Sequence, residues 1–166
     1  MTTNQRQGPM TPAATPERSG SRAGVAVAAL VGGGVALGSI LLPWLGSGAF
    51  TLRPFDIPAA YLWSAAAAPS DISIGLVMLV GAGLTVAAAL LGVLGIAPAG
   101  AMPAAAVFGS IATAIVAVFA AQTIRLGLDA GTPFADVLTD VIGYGVWVAL
   151  VGALIASWSA RLASRS

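Results

Sequence analysis

Residues 72–96 read ISIGLVMLVGAGLTVAAALLGVLGI, and no side chain in this stretch carries a charge. An α-helix rises about 1.5 Å per residue, so about 20 such residues cross the ~30 Å hydrocarbon core of a bilayer. Three further runs share the character: 23–44 (AGVAVAALVGGGVALGSILLPW), 103–124 (PAAAVFGSIATAIVAVFAAQTI) and 141–160 (VIGYGVWVALVGALIASWSA). None contains Lys, Arg, Asp, Glu, His or Cys. The expected fold is all-α, an integral membrane four-helix bundle spanning 23–160.

Composition agrees. The chain of 166 residues is 58% hydrophobic and 8% charged, where soluble domains carry about 25% charged residues. With no Cys and no His, there is no disulfide, thiolate metal site, bis-His haem or histidine base. The Ala, Gly and Arg richness without Lys points to a GC-rich genome.

Threading follows from charge. Residues 1–22 are rich in Thr, Pro, Gln, Ser and Gly and read as a disordered tail. The first run is too long for a secretory signal, whose apolar region is about 7–15 residues, and no clear cleavage pattern ends it. The tails before the first run and after the last hold Arg6, Arg18, Arg22, Arg161 and Arg165, whereas the loops 45–71 and 125–140 hold only Arg53 and Arg125. Basic residues accumulate on the cytoplasmic side, so the N and C termini, the latter a short tail 161–166, are expected there. Asp56, Asp71, Asp129, Asp136 and Asp140 all fall in the two outer loops. Trp44, Tyr144 and Trp147 are expected at the outer headgroup boundary, with Trp158 at the inner one. The localisation read from this pattern is the plasma membrane, multi-pass, in a bacterial inner membrane.

The acidic residues invite a cation site at Asp129, Asp136 and Asp140, but helix electrostatics accounts for them more simply. Ser70 and Asp71 stand where the second helix should begin, and Asp140 before the fourth; an alternative start for the fourth is Thr132-Pro133 with Asp136. Ca²⁺ would need about six oxygens, and no EF-hand spacing is present. No catalytic, cofactor-binding or metal residue is assigned. Small residues recur at four-residue spacing, with Gly34 and Gly38 forming GxxxG and Gly109 and Gly145 in further columns; these are the candidate helix-packing positions.

The loop 45–71 is longer than a connector requires, and such loops tend to be functional or to carry structure of their own. Asp56 is placed to cap a short helix through Ile57, Pro58, Tyr61, Leu62 and Trp63. The loop reads either as an interfacial anchor or as a partner-docking surface built from Arg53, Phe55, Asp56, Tyr61 and Trp63. Leu42-Pro43-Trp44, then Ser47-Gly48, Phe55 and Tyr61, resembles a pattern in small four-span membrane proteins of actinobacteria. The resemblance implies an integral membrane protein of the cell envelope and transfers no catalytic residue.

An enzyme is not expected, because a Ser nucleophile would lack a His or Lys base. Proton-coupled export is disfavoured by the absence of an intramembrane carboxylate. The expected role is an accessory or scaffolding subunit of a cell-envelope complex, with the lipid bilayer and a membrane-protein partner as its contacts and no nucleic acid. The alternative is a passive small-solute channel or transporter acting as a homo-oligomer.

Overall fold

The computed structural model describes residues 17–47, 50–64, 72–97 and 100–165. The expected tail 1–22 lies outside the described residues up to position 16, and Glu17 onward already belongs to the first helix. Four helices are long and apolar enough to cross a membrane: α1 (Glu17–Gly38), α2 (Ile74–Val93), α3 (Ala101–Asp129) and α5 (Tyr144–Arg165). A single helical turn, α4 (Phe134–Asp136), runs into a π turn at Val137–Val141 just before α5. Two strands, β1 (Leu45–Ser47) and β2 (Phe50–Leu52), pair antiparallel with Ser47 opposite Phe50.

The helices pack as a closed ring: α1 lies between α2 and α5, and α3 touches the same two neighbours from the other side. The two longest connections gather at one end, where α1 and α3 finish and α2 and α5 begin. This capped end carries the hairpin, a 3-10 turn at Pro54–Asp56, a second at Ala59–Leu62, and α4.

Helix ends follow local chemistry more than hydropathy. At the start of α2, Ser73 Oγ accepts the Leu76 amide at 3.2 Å, so Ser73 is the cap in place of the expected Ser70-Asp71 pair, which lies outside the described residues. Helices α2 and α3 both stop in Schellman motifs. The Ile96 amide donates to Leu91 O and the Gly95 amide to Gly92 O, while Thr132 and Gly131 repeat the pattern on Gly127 and Leu128. Gly95 and Gly131 have φ of 70° and 81°, the left-handed conformation that such a motif requires and that glycine adopts without a Cβ penalty. Helix α3 runs five residues past the apolar stretch that ends at Ile124. Arg125 and Asp129 therefore lie on a helix one turn apart, as an exposed pair at 3.7 Å.

The interior is built mainly of alanine. Ala29, Ala36, Ala82, Ala89, Ala105, Ala112, Ala149, Ala153 and Ala160 are buried, while Leu76, Leu79, Val80, Leu84, Val107, Ile111, Val151, Leu154 and Ile155 point outward. Small side chains let the helices approach closely. At the α1–α5 crossing a Cβ on Gly32 would lie 2.6 Å from the Ala156 nitrogen, and one on Gly152 2.6 Å from the Ala36 nitrogen. Met78, Val116 and Phe119 fill the ring between the alanine layers. Helix hydroxyls return to their own backbone: Thr85 to Gly81 O, Ser110 to Ala106 O, Thr113 to Gly109 O and Thr123 to Phe119 O. Among the described residues no buried side-chain nitrogen or oxygen lacks a hydrogen-bond partner.

Candidate functional site

The capped end is organised by the segment that follows α1. Leu42-Pro43-Trp44 leaves the helix in extended geometry and is clamped to the entry of α5. The Gly143 amide donates to Trp44 O at 2.9 Å and the Gly145 amide to Pro43 O at 3.1 Å. Both glycines are needed for this approach, since a Cβ on Gly143 would collide with Pro43 O and one on Gly145 would lie 2.7 Å from that atom. Leu45 bridges Ile142 next to this clamp, and the Trp44 amide donates to Leu52 O.

Trp44 turns inward and is fully buried, so its indole faces the bundle interior and not the headgroups that its position at the end of the apolar run suggests. Its indole N–H donates to Ser39 O at 3.1 Å, and Ser39 Oγ donates in turn to Ala36 O. The Ser39 carbonyl satisfies the one hydrogen-bond donor that the buried tryptophan carries. The rings of Trp44 and Phe119 stand 5.2 Å apart and tilted, and Tyr61 also packs against Phe119, tilted, at 5.4 Å. The Thr123 hydroxyl proton goes to Phe119 O, so the Tyr61 hydroxyl is the donor in its 3.2 Å contact with Thr123 Oγ1.

The rest of the loop is seated on this stack. Asp56 closes the Pro54–Asp56 turn: its carboxylate accepts the Arg53 amide at 3.0 Å, and its own amide donates to Arg53 O at 2.9 Å. This corrects the expectation that Asp56 caps the next turn, because Ala59–Leu62 is entered through Pro58 with no side-chain cap. Extended backbone pairing docks the loop on α2, with the Ala59 amide donating to Ile72 O and the Ile74 amide to Ile57 O, each at 2.9 Å. Phe55 rests over Gly75, where an added Cβ would lie 2.8 Å from the ring.

The five loop residues singled out from the sequence therefore divide. Tyr61 is half-buried and belongs to the aromatic stack; Arg53, Phe55, Asp56 and Trp63 face outward. Trp63 is 73% exposed, and Phe50 on β2, which sequence reasoning left out of the site, is 80% exposed. The signal for Phe50 was its place just after Gly48-Ala49, since two residues led by glycine between apolar segments mark a hairpin. Of the packing glycines, Gly109 packs closely on α5, where an added Cβ would lie 3.2 Å from the Ser157 backbone, and Gly145 lies under Pro43, whereas Gly34 and Gly38 face open space. The close α1–α5 crossing belongs to Gly32 and Gly152.

Asp129 pairs with Arg125, Asp136 lies in the first turn of α4, and Asp140 is exposed in the π turn. Among the described residues no three acidic groups converge on a point where a metal could sit. The chain matches no family model, no curated protein and no solved structure.

Proposed function

We infer that the protein is an integral membrane protein with four spans, resident in a bacterial inner membrane with both termini cytoplasmic. Within it, the chain serves as an accessory or scaffolding subunit of a cell-envelope complex. Membrane residence is supported by the inverted distribution of apolar bulk: alanine inside, leucine, valine and isoleucine over the outer faces of all four long helices. Water would penalise so large an exposed apolar belt, whereas lipid solvates it and leaves close packing of small residues to hold the helices together. The orientation rests on the arginine asymmetry, which puts the capped end outside.

The observation that carries the accessory reading is the pair of exposed aromatics, Phe50 and Trp63, held on a loop whose base is a buried stack. Rigidly mounted aromatic side chains are efficient anchors because few rotamers are frozen on binding. Arg53 and Asp56, exposed on the same segment, supply charge for orientation. The partner that fits is a second envelope protein with an apolar recess near the outer membrane surface.

Trp63 makes the clean test because it is exposed, while Tyr61 contributes to the core. A tagged chain purified in mild detergent is expected to retain a stoichiometric partner that Trp63→Ala releases without lowering thermal stability. A clean homo-oligomer that leaks solute from liposomes would overturn the reading in favour of a passive channel.

A further inference from the structure

On the outer face of the bundle, between α3 and α5 and toward the end opposite the cap, lies a groove of about 690 Å³. Its walls are apolar, with Ala114, Ala117, Leu154 and Ile155, and it ends at Trp158 and Arg161. A second recess of about 390 Å³, along α3, meets the first at Ser110, Ala114 and Arg161. The two recesses fork at one guanidinium.

The position of that guanidinium is specific. Side chains on a helix lean toward its N-terminus, so Arg161, near the C-terminal end of α5, reaches back along the bundle. Its Nη2 donates to Ser110 Oγ at 2.8 Å. Ser110 lies nine residues into α3, about 14 Å along the helix from its start. Arg161 directly follows the apolar run 141–160, so in a bilayer its Cα stands at the inner edge of the hydrocarbon, with the guanidinium folded inward beside the exposed indole of Trp158 on a side chain long enough to swing out to the level of lipid phosphate. Guanidinium presents forked donors that match phosphate oxygens, and basic pockets between membrane helices on the cytoplasmic side suit anionic headgroups.

We propose that this forked groove is a binding site for one anionic diacyl phospholipid, its phosphate at Arg161 and its two acyl chains in the two recesses. The proposal rests on the membrane reading above. Charge complementarity selects an anionic over a zwitterionic headgroup, and the apolar walls select a lipid over free phosphate.

The test is native mass spectrometry of the delipidated full chain titrated with phosphatidylglycerol or phosphatidylcholine, with parallel reconstitution in nanodiscs of phosphatidylcholine alone. Expected is one phosphatidylglycerol bound about tenfold more tightly than phosphatidylcholine, in line with the strength of one charge-assisted contact. Arg161→Gln should abolish the preference and Arg161→Lys should restore most of it, while Arg125→Gln at the capped end should leave it intact. Equal binding of the two lipids, an unchanged preference in Arg161→Gln, or displacement of the lipid by millimolar inorganic phosphate would overturn the site. Failure to enter the nanodiscs would refute membrane residence itself, whereas entry without lipid preference refutes only this proposal.

Discussion

Replacing Gly152 with alanine probes the α1–α5 crossing directly. The new methyl carbon would lie 2.6 Å from the Ala36 nitrogen, 2.8 Å from Gly32 O and 3.0 Å from Val35 Cγ1. Comfortable heavy-atom separations are about 3.5–4.0 Å, so the two helices must part by about 1 Å. Two of the three obstructing atoms are backbone, and no rotamer change relieves them. Overpacking of this kind costs about 1–3 kcal/mol, while alanine in a helix regains up to about 1 kcal/mol over glycine. Gly34→Ala is the matched control, because it lies on the same helix pair and faces open space. Subtracting one variant from the other cancels the propensity gain and leaves the overpacking cost. Thermal unfolding in detergent, followed by circular dichroism, reads the difference as about 2–4 °C per kcal/mol at this size, with Gly152→Ala melting lower. Equal melting temperatures, or a greater loss in Gly34→Ala, would refute the assignment of the crossing to Gly32 and Gly152.

Trp44→Ala removes the largest buried side chain and is expected to destabilise the protein by about 3–5 kcal/mol, checked by the same melt and by loss of blue-shifted tryptophan emission. Ser73→Ala should cost about 1 kcal/mol and raise hydrogen exchange in the first turn of α2 ahead of its middle. Tyr61→Phe should cost only about 1 kcal/mol, because Thr123 keeps its bond to Phe119 O, and Trp63→Ala should fall within about 0.5 kcal/mol of the parent; a chemical-denaturation series comparing the two separates core from surface in the loop.

The four long apolar helices were legible because runs such as 72–96 lack any ionisable atom over a length sufficient to cross a membrane. The ends were less so. Hydropathy marks where charge begins, and α3 continues through Arg125 and Asp129 because both charges reach solvent from a helix as well as from a loop. A hydropathy reading passes over the stops, because Gly95 lies inside the run 72–96 and Gly131 seven residues beyond Ile124, yet each glycine stands two residues past the last helical one. Spacing alone could not choose among packing glycines: in so alanine-rich a chain Gly34-x-x-x-Gly38 and Gly32 offer similar patterns, and helix rotation decides which one meets Gly152. Trp44 misled for a related reason, since tryptophan at a run's end suits a headgroup belt unless a carbonyl such as Ser39 O waits inside. In the loop, the sequence marked aromatic content without separating inward Tyr61 from outward Trp63, a division set by Phe119 and Thr123 on a helix some 60 residues away.

The most direct test of a four-span bundle with cytoplasmic termini uses the absence of native cysteine. Single cysteines placed at Thr51, exposed on β2, and at Thr11 in the N-terminal segment are treated in intact cells with a membrane-impermeant maleimide. Labelling at position 51 alone, with position 11 reacting only after the membrane is permeabilised, is the expected result. Labelling at 11 and protection at 51, or recovery of the chain in the soluble fraction without detergent, would contradict it.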